Sequence, residues 1–481
     1  MRAKTLEINW HDSKAVYSVD FSADGSRFAS AGADTSVRLW SIKRRSESEN
    51  TQSSSQKRSA VQSLPVHIEF LSELKRHSAP VNVVRFSPSG EYIASAGDDA
   101  CIILWKRSTS KEQHTFGREH AEFEKESWSV SQMFYGHNKE IYDLAWSPCG
   151  EYFITASIDN TARVWSVAQR APIHVFADHT HYVQGVAWDP LGQYVATQSS
   201  DRSVAIYKYR KDGQGNIRFN STCSKRHLRM SKKNGEASFR LYHDENLVTF
   251  FRRLSFSHEG AFLLTPAGLC KQADENTPED DDYANCAYLY PRNAMLKMPI
   301  AYTSSHTKPS IAVRWCPQTF ELRASKKSSL FNLPYRLIYA VATQDGVYIY
   351  DTQQARPICV ITGMHFAPIT DLTWSQDGTV LAFSSADGYC SAVVFEDGEL
   401  GTIMESQPPD VEMMEITSPP RPDLTAKPIV QPIRPEKRVI PEPSLSTVAM
   451  STASANTENG GGAPKKRRIA PTLISSLLPQ K

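Results

Sequence analysis

A short pattern recurs seven times along the chain, and few folds accommodate it. Each copy is a strand-like run ending in Trp, Tyr or Phe, usually with an Asp six residues earlier. The clearest copies are Asp34…Trp40, Asp99…Trp105, Asp159…Trp165 and Asp201…Tyr207; weaker ones end at Tyr290, Tyr350 and Phe395. Upstream lies a second run, apolar-x-x-apolar-x-aromatic, then a turn ending in Gly. It occupies 16–21 with Gly25, 81–86 with Gly90, 141–146 with Gly150, 183–188 with Gly192, 251–256 with Gly260 and 369–374 with Gly378. A seventh copy, 311–315, has an insertion in place of its turn. Alternation of period two sends one row of side chains to each face of a strand. A unit of this size cannot bury both faces alone, so the copies must stack on one another.

That pattern is the mark of WD40 repeats, each forming one four-stranded blade of a β-propeller. The expected fold class is all-β: a seven-bladed WD40 propeller with long insertions between strands and a disordered C-terminal tail. Several copies open with a His: His11, His77, His137 and His179. With the turn Asp, a Ser or Thr and the Trp, such a His can form a buried hydrogen-bonded chain. In the third copy the set is His137, Thr155 or Ser157, Asp159 and Trp165; Asp34 with Trp40 and Asp99 with Trp105 are its counterparts. A buried carboxylate is costly unless its partners satisfy it, so these sets should fix blade geometry. A catalytic Ser-His-Asp reading fails because a triad occurs once, whereas this set recurs in step with the blade.

The propeller is expected over residues 1–400. Seven repeats of roughly 40–45 residues spread over that length require long loops. A lone strand at 4–8 should complete the last blade and leave no free edge. Five stretches interrupt the repeats, at 43–65, 107–127, 208–233, 274–282 and 318–332, and read as solvated loops. The third is strongly basic and the fourth carries Glu279-Asp280-Asp281-Asp282. A net charge of +2 gives no overall basicity for bulk DNA binding, so any DNA contact is expected to be indirect or weak. Eight scattered cysteines, with no CxxC pair, read as reduced thiols and supply no zinc site. No signal-peptide pattern and no apolar run near 18 residues is found, which points to a soluble intracellular protein without membrane contact. No cofactor is expected, and no enzyme activity, since no phosphate-binding Gly loop or metal cluster occurs.

After residue 400 the character changes. Thirteen of the 28 prolines fall in 401–481, with Ser, Thr and a Gly460-Gly461-Gly462 run, so 401–463 should be a disordered linker. At 464–478 four cations, Lys465, Lys466, Arg467 and Arg468, lead into Ile469, Ala470, Pro471, Thr472, Leu473 and Ile474. The cations alone would suffice for a nuclear localisation signal. The apolar continuation suits a docking peptide that adds to a sheet edge while Arg467 and Arg468 pair with carboxylates. The two readings are compatible.

Particular stretches go beyond generic WD40 residues. They are Trp188-Asp189-Pro190-Leu191-Gly192-Gln193-Tyr194, Phe250-Phe251-Arg252-Arg253-Leu254-Ser255-Phe256, Leu263-Leu264-Thr265-Pro266-Ala267-Gly268, Leu333-Pro334-Tyr335-Arg336-Leu337 and Ala386-Asp387-Gly388-Tyr389-Cys390. Through them the chain resembles the WD40 middle subunits of chromatin assembly factor 1, over nearly all of 1–400. HIRA-type histone chaperones share the propeller but carry a long folded C-terminal region, which this chain is expected not to have. The resemblance implies a nuclear, non-enzymatic scaffold. Its complex would deposit newly synthesised core histones onto DNA during replication and repair. The implied partners are the large and small subunits of that factor, core histones and the anti-silencing histone chaperone. It further implies that Arg467, Arg468, Ile469, Pro471, Leu473 and Ile474 match the family's basic-then-apolar chaperone-docking motif, the B-domain. Two alternatives are a HIRA-type chaperone subunit acting outside replication and a substrate receptor of a cullin ubiquitin ligase. The receptor reading wants Trp-Asp-x-Arg, where this chain has Trp40-Ser41-Ile42-Lys43 and Trp165-Ser166-Val167-Ala168.

Overall fold

The computed structural model describes residues 1–44, 66–108, 124–220, 223–231, 238–271, 283–303, 306–324 and 329–405. Within them the chain is a seven-bladed β-propeller. Antiparallel sheets follow one another in chain order, each opening with its innermost strand: Val16–Phe21, Val81–Phe86, Ile141–Trp146, Val183–Trp188, Ser255–Phe256, Ser310–Phe320 and Ile369–Trp374. Seven apolar clusters lie among the described residues, one at each junction between neighbouring blades. The junction of blades two and three, for example, packs Val83, Ile102, Leu104 and Phe134 against Ile141, Leu144, Phe153 and Trp165. The period-two pattern therefore buries both faces of each sheet, one against either neighbour.

The ring closes through the N-terminus. Strand Arg2–Leu6 pairs antiparallel with Cys390–Val394, from Arg2 opposite Val394 to Leu6 opposite Cys390. The closing strand thus starts and ends two residues earlier than the pattern at 4–8 suggests. Leu6 is buried and enters the junction of blades seven and one with Trp10 and Trp40. Trp10 donates its indole N–H to the Leu6 carbonyl at 2.9 Å, which anchors the end of the strand. A chain lacking residues 1–6 would leave Cys390–Val394 as an open edge and uncover part of that cluster. Such a chain is expected to unfold roughly 5 °C lower and to self-associate, as read by thermal unfolding and light scattering. An unchanged midpoint would show that closure is held elsewhere.

The structure corrects several sequence expectations. The basic stretch 208–233 is not simply a solvated loop. Ser203–Lys211 runs on to pair with Ile217–Phe219, and Lys225–His227 adds to the same strand. Tyr209 and Ile217 are buried, and Phe219 packs at 5.1 Å from Phe176 and 5.2 Å from Tyr209. Its many cations mask this alternation in the sequence. Strand Ser310–Phe320 carries the start of the 318–332 insertion, while Phe331 and Leu333 are buried against Phe262 and Trp315. The chain also stays on the propeller past residue 400. Phe320 bridges to Ile403, Glu321 N–H donates to Thr402 and Met404 N–H to Thr319. Stretch 274–282, most of 43–65 and most of 107–127 lie outside the described residues.

Candidate functional site

Among the described residues, blades one, two, three, four and seven carry a His–Asp hydrogen-bonded set at the end where the innermost strand begins. In blade three, His137 Nδ1 lies 2.9 Å from Asp159 Oδ2 and His137 Nε2 lies 2.7 Å from Thr155 Oγ1. Trp165 Nε1 donates to the same Thr155 oxygen at 2.8 Å. Indole N–H can only donate, so the Thr155 hydroxyl accepts from Trp165; the ionised Asp159 can only accept, so the ring proton sits on Nδ1 and Nε2 accepts from the Thr155 hydroxyl. The imidazole is then neutral and donates Nδ1–H to Asp159. Burial opposes charge on Asp159, but the bonds from His137 and Thr161 outweigh it and hold the carboxyl well below its usual range. Burial likewise lowers His137. Of the two hydroxyls open from sequence, Thr155 joins the set, while Ser157 bonds the Lys139 carbonyl instead.

Blades one and two repeat the geometry through His11, Ser30, Asp34 and Trp40, and through His77, Ser95, Asp99 and Trp105. Asp34 is held down to about 2, its bond from His11 overcoming burial. Blade four keeps His179, Thr197 and Asp201, with Tyr207 in place of Trp.

Blade seven departs from the pattern, and its network was not visible in the repeat. The residue opposite Leu381, where blade three has Trp165 opposite Phe153, is Val393. Phe395 therefore stands two positions beyond the Trp site, and stacks on Trp374 at 5.6 Å. Phe383 takes the Ser/Thr position, and the hydroxyl has moved across the strand pair to Ser391. His365 bonds Asp387 at 3.0 Å and Ser391 at 2.8 Å, so the blade keeps its His–Asp pair with a relocated acceptor. The signal available in the sequence was the 22-residue spacing of His365 and Asp387, shared with His77–Asp99.

A second constellation fills the axis. Six innermost strands carry a β-bulge at their second residue: Tyr17, Asn82, Tyr142, Gln184, Ile311 and Thr370. A bulge leaves its extra residue outside the ladder, so its backbone groups need other partners. Blade five supplies them for the carbonyls of five, all but Tyr142. Its expected strand at 251–256 is shortened to Ser255–Phe256, and the residues before it cross the axis instead. Arg252 N–H donates to Gln184 and Arg253 N–H to Ile311. The Arg253 guanidinium donates to the carbonyls of Tyr17 at 2.9 Å, Thr370 at 3.0 Å and Asn82 at 2.6 Å. One fully buried side chain thereby ties three further blades.

Its charge is matched by buried carboxylates. Asp371 lies 3.0 Å from Arg253 and 2.8 Å from Arg85, and accepts from Ser18 at 2.9 Å. Asp143 lies 3.5 Å from Arg253 and 3.7 Å from Arg85. Burial works against the Asp371 anion, but Arg253, Arg85 and Arg314 prevail and keep the carboxyl far below its ordinary range. At Asp143 burial wins over the same cations and pushes the carboxyl up. This hub can bear load and close the channel. It offers no nucleophile beside a base and no open position for a substrate.

The sequence-expected docking residues, Lys465, Lys466, Arg467, Arg468, Ile469, Pro471, Thr472, Leu473 and Ile474, lie outside the described residues. All eight cysteines are free thiols, with Cys101, Cys270, Cys286, Cys316 and Cys390 buried.

Comparison with known proteins places this architecture. The family described as "CAF1B/HIR1 beta-propeller domain" matches residues 1–400. The B-subunit of chromatin assembly factor 1 from Mus musculus is 43% identical over 425 residues, covering 85% of this chain and 69% of the mouse protein. The protein of the same name from Schizosaccharomyces pombe is 34% identical over 474 residues, covering 83% and 89%. Protein HIR1 of Yarrowia lipolytica is 28% identical over 425 residues, covering 82% of this chain and 37% of its own length. The seven-bladed ring and a match across its whole span show that this chain belongs to the CAF1B/HIR1 β-propeller family.

Proposed function

We propose that the chain is the non-catalytic scaffold subunit of a nuclear histone chaperone complex. That complex deposits newly synthesised core histones onto DNA during replication and repair. The propeller is held by the large subunit, with the small subunit in the same assembly. The motif at 464–478 docks the anti-silencing histone chaperone and brings its histone cargo close to the other subunits. A tether of that kind raises local concentration without new contacts on the propeller. The observation that carries the reading is the higher identity to the B-subunits of chromatin assembly factor 1 than to HIR1, with a match across the whole propeller. The same difference favours this reading over the HIRA-type alternative.

The test compares the tagged full chain with one ending at Gly460, each purified from nuclear extract and analysed by mass spectrometry. The full chain is expected to retain the two other subunits, histones and the anti-silencing chaperone. The truncated chain is expected to lose mainly that chaperone. A narrower version replaces Ile469 and Leu473 by Ala, which should weaken chaperone binding tenfold or more if each anchor is worth roughly 1–2 kcal/mol. Unchanged affinity in that double variant would remove the docking role. Absence of histone-handling partners from both forms would remove the functional reading as a whole.

A further inference from the structure

The end of the axial channel that carries the His–Asp pairs is lined by aromatic rings. Tyr17 and Tyr142 are bulged residues of blades one and three, and each faces Phe250 and Phe251 from the segment that crosses the axis. Ring centroids are 6.5 and 6.1 Å apart for Tyr17, and 6.0 and 6.1 Å for Tyr142. Phe251 is buried, with the Arg253 guanidinium 3.9 Å from its centroid, so the floor is closed. Phe250 lies above it and is 59% exposed. It is not a frayed residue, because Gln184 donates to the carbonyls of Thr249 and Phe250 and Gln344 to that of Val248. A large aromatic ring is thus fixed in a solvent-facing position, where apolar exposure needs a reason.

Two carboxylates belong to this mouth. Asp98 accepts from the bulged Asn82 amide at 2.7 Å, and the same amide donates to the Ile141 carbonyl at 3.0 Å, between Glu140 and the bulged Tyr142. Burial pushes the Asp98 carboxyl up, a bond from Asn82 opposes this, and repulsion from Glu140 and Asp99 adds to it. Burial also raises the Tyr142 hydroxyl, with Asp98 and Glu140 contributing. Among the described residues neither Asp98 nor Glu140 has an ion-pair partner, in contrast to Asp143 and Asp371 deeper on the axis. Aromatic faces beside unpaired carboxylates match one chemistry, a cation on an apolar stem.

We propose that this mouth is a docking site for an extended basic protein segment, which seats a Lys or Arg side chain against Phe250, Tyr17 and Tyr142 beside Asp98 and Glu140. The ring faces attract the cation and cover its methylene stem, while the carboxylates neutralise its charge. Under the function proposed above, core-histone tails supply this chemistry. The site itself is argued from the propeller alone.

The test uses the purified full chain and a fluorescein-labelled 20-residue peptide rich in Lys and Arg and spaced by Ala and Gly. Binding is followed by fluorescence anisotropy at 50 mM salt. The variants are F250A and D98N/E140Q, with E396Q/D397N as a control on exposed carboxylates of the blade seven loop. Wild type and control should bind alike, and each mouth variant should weaken binding about tenfold. If F250A fails to fold, D98N/E140Q decides, since Asp98 is exposed, Glu140 is half-exposed and the D98N side chain keeps an oxygen to accept from Asn82. A loss below threefold in D98N/E140Q, or no binding by wild type, overturns the site; a loss of threefold or more upholds it. Because pure chain and synthetic peptide are used, failure here leaves the copurification result untouched, and failure there leaves this site standing.

Discussion

Replacing Arg253 by Ala should destabilise the propeller by about 3–5 kcal/mol, the range for removing one partner from a buried ion pair. The cost has two sources. Asp371 and Asp143 would remain buried with less opposing charge, and the carbonyls of Tyr17, Asn82 and Thr370 would lose their donor. R253K keeps the charge but cannot spread donors over three carbonyls, so it should fall between wild type and R253A. Pairing R253M with D371N removes one of the stranded charges and should recover part of the loss. Urea unfolding of the four proteins checks the order. If R253A unfolds at the wild-type urea concentration, the hub does not hold the blades together.

Trp165→Ala should cost a similar amount, about 3–5 kcal/mol, mainly through the cavity left in the core. Trp165 is fully buried and packs on Phe134 and Phe153 at ring separations of 5.8 and 6.3 Å. The smaller change W165F separates packing from hydrogen bonding. It keeps most of the ring but removes the donor to Thr155, with an expected loss of about 1 kcal/mol. The measurement is the thermal midpoint of each variant beside wild type. Equal midpoints for W165A and wild type would mean that this network does not fix the blade.

The strands and the His–Asp networks of the first four blades were legible because their residues recur at fixed spacing. Blade seven was less so. Exchanging the hydroxyl from the Phe383 position to Ser391 preserves the His365 bond while erasing the motif that reveals it. The axial hub was illegible for a different reason. Phe251, Arg252 and Arg253 fit a strand pattern locally, and only the carbonyls freed by bulges in other blades draw them across the axis. Bulge positions depend on how strands meet in the ring, which no single repeat encodes. The same holds for 401–405, whose partners at Thr319, Phe320 and Glu321 lie in blade six. The docking motif was read wholly from composition and from a family pattern, and it lies outside the described residues.

Strand Arg2–Leu6 has a consequence for biosynthesis. It leaves the ribosome before the rest of the ring, yet its partner Cys390–Val394 is among the last parts of the ring to be made. Until then the nascent chain holds an unpaired strand at one end and a growing stack of blades with one uncovered face at the other. Such a long-range pairing is slow to form, and open edges of this kind associate with other chains. Closure of the ring should therefore wait until blade seven has been made, with the waiting period as the stage at which the protein most depends on molecular chaperones.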